Sequence, residues 1–213
     1  MTMAAAIENR NAEARAWSRA SRIASVDIVG DLGEAETIWR GLEDRQQLST
    51  PYQRFDFLAR WQRQVGAREN LSPFIVVASD AERRPLLLLL PLALGHEYGV
   101  RTARFMGGKH TTFNMALWDG GLATGATEAD LGALIAGIRE HAAADVLALT
   151  QQPLRWRDLP NPMARLPKQP SVNDCPLLTM AAGAAPAALI SNSFRRRLKG
   201  KERKLQTLTG ISG

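Results

Sequence analysis

Residues 74–94 read FIVVASDAERRPLLLLLPLAL, and this stretch decides the fold. Residues 74–79 are rich in β-branched and aromatic side chains, residues 80–84 are mostly polar, and residues 86–94 form a second apolar run. Two such runs joined by a short polar connection are typical of a β-hairpin, so we predict an antiparallel pair of strands buried on both faces. The run 85–94 is about half of the ~20 residues that a membrane-spanning helix needs, and Pro91 interrupts it, so we predict no membrane span.

Helices and further strands are predicted around this hairpin. The elements expected before it are a strand at 26–29, a helix at 33–48 with Ile38, Trp39 and Leu42 on one side, and a second helix with Phe57, Leu58, Trp61 and Val65 at helical spacing that ends at Gly66. The elements expected after it are a turn at 95–99, a strand at 100–106 leading into Gly107 and Gly108, a short strand at 116–118 and a loop at 119–121.

A capping box marks the start of the most clearly defined helix. Thr127 precedes Asp130 by three residues, the spacing at which each side chain satisfies a free amide of the first turn. The apolar stripe that follows is Leu131, Leu134, Ile135, Ile138 and Ala142, and residues 145–150 then form a predicted strand. A helix followed closely by a strand is typical of α/β proteins, so we predict an α/β fold with a mixed, largely antiparallel sheet flanked by helices.

The net charge of the chain lies in one predicted helix. The chain has 27 basic and 21 acidic residues, a net charge of +6, and residues 195–204 alone hold seven bases and one acid. Phe194, Leu198, Leu205 and Leu208 line one face of a helix predicted over 191–208. Such a helix is typical either of a packed helix with a solvated outer face or of a patch that binds phosphate polymers, and we favour the packed helix over nucleic-acid binding. Because only residues 210–213 follow, we expect the chain to stop as a second unit begins.

The positions of cysteine, histidine and proline bear on disulfides, metal binding and domain boundaries. Cys175 is the only cysteine, so a disulfide within the chain is excluded and a cytoplasmic location is expected. His96, His110 and His141 are too scattered for a metal cluster, and we predict no metal. Residues 1–25 are expected to be a disordered leader, and the prolines of residues 151–176 indicate a linker.

The glycine pair after the third strand is the main candidate for a ligand site. It fails as a nucleotide P-loop, because Ala103 stands where the first glycine belongs and His110 where a serine or threonine belongs. It fits an acyl-CoA loop of the form Q/R-x-x-G-x-G/A only as far as Arg104 and Gly107, since Lys109 replaces the second small residue. A glycine turn between strands and a ligand-binding turn both remain open.

Taken in order, five segments carry a family resemblance: TPYQRFDFLARWQRQVG at 50–66, the hairpin at 73–94, VRTARFMGGKHTTFNMAL at 100–117, the proline-rich bridge at 151–176 and SFRRRLKGKERKLQTLTG at 193–210. Over residues 27–210 the chain resembles the CelD-like group of GNAT-fold acyltransferases, bacterial proteins of cellulose and exopolysaccharide biosynthesis built from two GNAT-like halves. The resemblance implies a GNAT-like N-terminal half at 26–150, the linker at 151–176 and the truncated start of a C-terminal half at 177–213.

The resemblance also implies an activity and candidate residues. The activity is acyl transfer from acetyl-CoA or another acyl-CoA to an amine or hydroxyl of a small-molecule or saccharide acceptor, with the acyl-CoA loop in the C-terminal half and therefore beyond residue 213. Catalytic and cofactor-binding residues stay unassigned. The substrate-binding candidates are Arg104, Gly107, Gly108, Lys109, His110, Thr111 and Asn114. The alternative is a non-catalytic interaction module, completed by a partner chain or binding an anionic polymer through the basic helix.

Overall fold

A computed structural model describes residues 21–43, 47–82, 88–171, 181, 183, 185 and 190–209 of the 213-residue chain. The described strands are β1 (Ser25–Val29), β2 (Gln47–Leu48), β3 (Ser72–Ser79), β4 (Leu88–Glu97), β5 (Val100–Phe105), β6 (Leu117–Asp119), β7 (Val146–Ala148), β8 (Arg155–Trp156) and β9 (Leu159–Pro160). The described α-helices are α1 (Leu32–Glu43), α2 (Phe55–Gln64), α3 (Gly120–Gly125), α4 (Glu128–Glu140) and α5 (Asn192–Thr209). The chain divides into two compact units, Met1–Pro170 and Ser171–Gly213.

The first unit is built on a mostly antiparallel sheet flanked by helices, as predicted. Its main path has the order β1-β3-β4-β5-β7, with β6 beside β4 and β2 beside β6. β3 and β4 pair antiparallel from Ser72 opposite Leu94 to Ala78 opposite Leu88, which confirms the predicted hairpin. Residues 83–87 of the predicted connection and second strand lie outside the described residues.

Pro91 lies where β4 changes its partner. Residues 92–97 of β4 pair with β5, whereas Leu88 and Leu89 pair with β6. The carbonyl of Pro91 accepts a hydrogen bond from the amide of Met106 at 2.9 Å, just after β5 ends. In an antiparallel ladder the N–H and C=O of one residue point to the same side. The Pro91 nitrogen, which has no hydrogen to donate, therefore faces the gap between β5 and β6. A proline is therefore tolerated in a central strand at the point where β5 leaves the sheet.

The two faces of the sheet carry separate cores. Successive residues of a strand point to opposite faces, and β3 follows this rule: Phe74, Val76 and Ala78 belong to one core cluster, Ile75 and Val77 to the other. The first cluster is covered by α4 through Leu131, Leu134 and Ile138. The second is covered by α1 and α2 through Ala35, Trp39, Leu42, Phe55, Leu58, Ala59 and Trp61. Burial on both sides explains why residues 74–78 of β3 and 88–93 of β4 are all apolar.

A parallel pair joins the end of the sheet. β5 and β7 pair in parallel, with Thr102, Ala103 and Arg104 opposite residues 146–148. An ion pair at the start of both strands aligns them: Arg101 Nη2 lies 2.7 Å from Asp145 Oδ1, and the Arg101 amide donates to Asp145 Oδ2 at 2.8 Å. The hydrogen bonds from Arg101 lower the pKa of the Asp145 carboxyl to about 2.

The predicted capping box at α4 is confirmed, and it also holds residues 21–23. Thr127 Oγ1 accepts from the Asp130 amide at 3.2 Å, and Asp130 Oδ2 accepts from the Thr127 amide at 2.9 Å. Asp130 Oδ1 further accepts from the Arg22 amide at 2.7 Å. Burial would raise the pKa of Asp130, but the hydrogen bonds from Thr127 and Arg22 outweigh it, so its pKa is lowered. Residues 21–25, expected in the leader, are thus attached to the core, and residues 1–20 lie outside the described residues.

Three predicted boundaries are wrong. The helix expected over 33–48 ends at Glu43, and Leu48 lies in β2 opposite Trp118. A residue six positions after Leu42 does not lie on the same face of a helix, so Leu48 could not continue the apolar face. The loop expected at 119–121 starts α3, since the Asp119 side chain accepts from the amides of Gly121 and Leu122 and caps that helix. The turn expected at 95–99 is reduced to Tyr98 and Gly99, both at positive φ, because β4 continues to Glu97.

The proline-rich segment and the basic helix complete the described chain. Residues 151–170, expected to begin a linker, include the small hairpin β8–β9 and bury Asn161 and Met163.

In the second unit α5 matches the predicted basic helix, and Phe194, Leu198 and Leu205 are 42%, 45% and 61% exposed. The strand expected at 177–180 and Cys175 lie outside the described residues. Within the described ranges, no helix combines the length and apolar character that crossing a bilayer requires.

Candidate functional site

A cleft of about 320 Å³ opens at the carboxyl ends of the parallel strands β5 and β7. Because both strands run in the same direction, the segments that follow them, Gly107–Asn114 and Thr150–Gln151, meet at one edge of the sheet. Helix α2 contributes one wall. The lining residues are Trp61, Val65, Glu69, Arg104, Phe105, Gly108, Lys109, His110, Asn114, Thr150 and Gln151. Ligands of α/β sheets commonly bind beyond the carboxyl ends of strands.

Five of the seven residues predicted as substrate-binding candidates line this cleft: Arg104, Gly108, Lys109, His110 and Asn114. The other two lie directly behind them. Gly107 begins the turn that carries Gly108, and Thr111 is buried against it. The structure therefore brings the predicted residues together around one cavity, although they come from a strand end, a turn and a loop.

The glycine pair forms a tight turn of its own. Gly107 and Gly108 have φ values of +95° and +48°, in the left-handed region that favours glycine. The amide of His110 donates to the Gly107 carbonyl at 2.9 Å, and the amide of Thr111 donates to the Gly108 carbonyl at 3.3 Å. A pyrophosphate loop needs successive amides that are free to face phosphate. Two amides of this turn are already occupied, so its geometry is that of a closed turn.

Trp61 of α2 fixes the ring of His110. The indole Nε1–H donates a hydrogen bond to Nδ1 of His110 at 3.2 Å. An indole nitrogen can only donate, so Nδ1 must be the unprotonated nitrogen and the neutral ring carries its hydrogen on Nε2. Trp61 itself is buried in the core cluster under the sheet, while His110 is exposed. The side chain of His110 is therefore oriented by a rigid partner.

A chain of hydrogen bonds connects the turn after β5 to the segment after β7. The Thr111 hydroxyl lies 2.9 Å from Asn114 Oδ1, and Asn114 Nδ2 donates to Gln151 Oε1 at 3.0 Å. The Asn114 amide also donates to the Gln151 carbonyl at 3.0 Å. Asn114 is buried, whereas Gln151 is exposed and has a φ of +57°. Asn114 thus orients Gln151, a lining residue that the sequence analysis does not predict.

Arg104 is held by two carboxylates. Its guanidinium pairs with Glu97, and its Nη2 lies 3.6 Å from Glu69 Oε2. Among the described residues, Lys109 is then the cation of the cleft with no carboxylate partner.

Trp61, Glu69 and Gln151 were not predicted as site residues. The strand predicted over residues 145–150 was the one available signal, because its parallel pairing with β5 places Gln151 at the same sheet edge as Gly107.

The site has the properties of a binding cleft with polar, pre-oriented side chains. In the described part of the chain, no three His, Cys, Asp or Glu side chains are grouped so that they could hold a metal ion. Neither a family model, nor a curated protein sequence, nor a solved structure matches this chain.

Proposed function

We propose that this chain belongs to the CelD-like group of GNAT-fold acyltransferases and that its cleft binds the amine or hydroxyl acceptor, a saccharide or another small molecule. The observation that carries the proposal is the convergence of Lys109, His110, Asn114 and Gln151 on one cleft at the carboxyl ends of a parallel strand pair. The mostly antiparallel sheet flanked by helices agrees with a GNAT-like half. The acyl donor would be acetyl-CoA or another acyl-CoA.

The cleft suits an acceptor better than an acyl-CoA. The turn bonds two of its amides, those of His110 and Thr111, to its own carbonyls, whereas the side chains around it line a cavity of small-molecule size. We therefore expect calorimetric titration of this chain with acetyl-CoA to show no saturable binding at micromolar protein. Saturation that is abolished by Gly107→Leu or Gly108→Leu would instead identify the turn as the cofactor loop.

Acceptor binding tests the proposal directly. We expect cellobiose and glucosamine, which offer hydroxyl and amine acceptors, to give saturable shifts of the Gln151 side-chain amide and the Trp61 indole in 1H–15N spectra of the full chain. Gln151→Ala should weaken binding because it removes the side chain that Asn114 orients. Arg139→Met, which changes an exposed residue of α4 outside the cleft lining, is the control. Shifts that do not saturate, or a Trp61 indole titration that is unchanged in Gln151→Ala, would contradict the proposal.

A second candidate function is favoured by the exposed stripe of α5. Phe194, Leu198 and Leu205 are exposed on a helix that carries seven bases and one acid, so the chain is alternatively an interaction module that binds an anionic polymer. We expect heparin, as the probe, to bind with an affinity that falls steeply with added salt. Replacing Lys199 and Lys201 by Met should weaken this binding and leave saccharide shifts at Gln151 unchanged.

A further inference from the structure

His110 and Gln151 share one property: a side-chain acceptor of each is already used inside the protein. His110 Nδ1 accepts from Trp61, and Gln151 Oε1 accepts from Asn114. Among the described residues, the His110 Nε2–H, the Gln151 Nε2 hydrogens and the Lys109 ammonium are donors of the cleft without a partner. All three residues line the cavity. The cleft therefore presents donors.

Two carboxylates at the cleft are held by Arg104. Glu69 lines the cleft and Glu97 lies beside it, so these two acids and the one guanidinium sum to a single negative charge, which the Lys109 ammonium balances. Lys109 is the remaining cation, and His110 is a neutral donor in the tautomer that Trp61 imposes. A neutral hydroxyl offers these three donors one oxygen with two lone pairs, so it cannot accept from all of them. An oxyanion accepts from all of them.

We propose that this cleft contains a subsite for an oxyanion, a carboxylate or phosphate group, bound by Lys109 together with the Nε2 donors of His110 and Gln151. The inference rests on the proposed function, because it makes the acceptor an acidic saccharide or other acidic small molecule. Trp61 and Asn114 are positioning residues, since they act on the ligand through His110 and Gln151. The site uses side-chain donors, which distinguishes it from a pyrophosphate loop built from backbone amides.

The test titrates the full chain with sodium acetate and with inorganic phosphate at constant ionic strength and follows the His110 ring nitrogens and the Gln151 side-chain amide by NMR. Saturable shifts at both residues are expected. Glucuronate and glucose form a matched pair that differs in a carboxylate, and glucuronate should bind at least tenfold more tightly. Equal binding of the two sugars would overturn the oxyanion subsite and leave the proposed saccharide function standing. Binding of acetate or phosphate, but of neither sugar, would support the oxyanion subsite and overturn the proposed saccharide function.

Variants separate the donors from general charge effects. Gln151→Glu keeps the Oε1 that Asn114 holds but replaces the donor by a charged acceptor, so oxyanion binding should fall at least tenfold. Lys109→Met should weaken binding, whereas Arg139→Met removes the same charge outside the cleft and should not. Trp61→Phe should release the His110 ring, seen as a mixture of tautomers in the long-range 1H–15N spectrum. A wild-type ring protonated at Nδ1, or equal binding by Lys109→Met and Arg139→Met, would overturn the proposal.

Discussion

Replacing Gly107 by alanine should destabilise the protein and disturb the cleft at once. Gly107 has a φ of +95°, and a non-glycine residue held in such a region costs about 1–3 kcal/mol. An added Cβ would also overlap the methyl group of buried Thr111 and lie 3.4 Å from Leu58 Cδ2. Moving Thr111 weakens its hydrogen bond to Asn114, a contribution of about 1 kcal/mol. Together we expect the free energy of unfolding to fall by about 2–4 kcal/mol.

Urea unfolding with a matched glycine control measures this effect. Gly41 is exposed on α1, and a Cβ there would meet nothing within 4 Å, so Gly41→Ala should stabilise the protein by about 1 kcal/mol. Gly107→Ala should lower the urea midpoint at an unchanged slope and shift the side-chain amide of Gln151, which Asn114 orients. Should Gly107→Ala unfold at or above the wild-type midpoint, or leave that amide signal in place, the coupling from the turn to the cleft is refuted.

Three further predictions concern parts of the chain outside the cleft. Asp130→Ala leaves two backbone amides without their acceptor, which should lower the free energy of unfolding by about 3 kcal/mol. Because the folded pKa of Asp130 is lowered, the stabilisation due to its charge should be complete above about pH 4 and disappear as pH falls through that pKa. Equal losses of stability at pH 7 and pH 2, measured by urea unfolding, would contradict this. Hydrogen exchange should be fast over residues 191–208 and slow over residues 128–143, since an isolated helix of about 18 residues is only marginally stable in water. Strong protection of the basic helix in a monomer would mean that it docks on other parts of the chain. Asp145→Ala should accelerate exchange over residues 146–148, because the ion pair that aligns β7 with β5 is lost, and unchanged exchange there would show that the three-residue pairing needs no alignment.

Local sequence patterns predict the elements whose causes are local. The hairpin follows from two apolar runs, and the start of α4 follows from the spacing of Thr127 and Asp130. Pairing between distant residues is a different matter: β2 is two residues long, and Leu48 becomes a strand residue only because Trp118 lies opposite it. No local propensity encodes such a contact.

The same distinction applies to the cleft. The glycine turn is visible in the sequence because Gly107 and Gly108 stand together, so the residues around it could be predicted as candidates. Trp61 could be predicted as a buried helix residue from its spacing, but its bond to His110 joins residues 49 apart in the chain. Gln151 contributes through a φ of +57° and through Asn114, and neither is visible in composition or periodicity.

Pro91 also bears on how β4 finds its place among its neighbours. Residues 86–90 are five consecutive leucines, of which Leu88, Leu89 and Leu90 are buried in β4, and a strand of identical buried residues could slide by one position at little cost in hydrophobic burial. A slide would carry the proline into the ladder with β3 or β5 and leave a buried carbonyl without a donor, at a cost of about 1–3 kcal/mol. One missing hydrogen atom therefore selects a single register for a segment whose side chains cannot distinguish between registers.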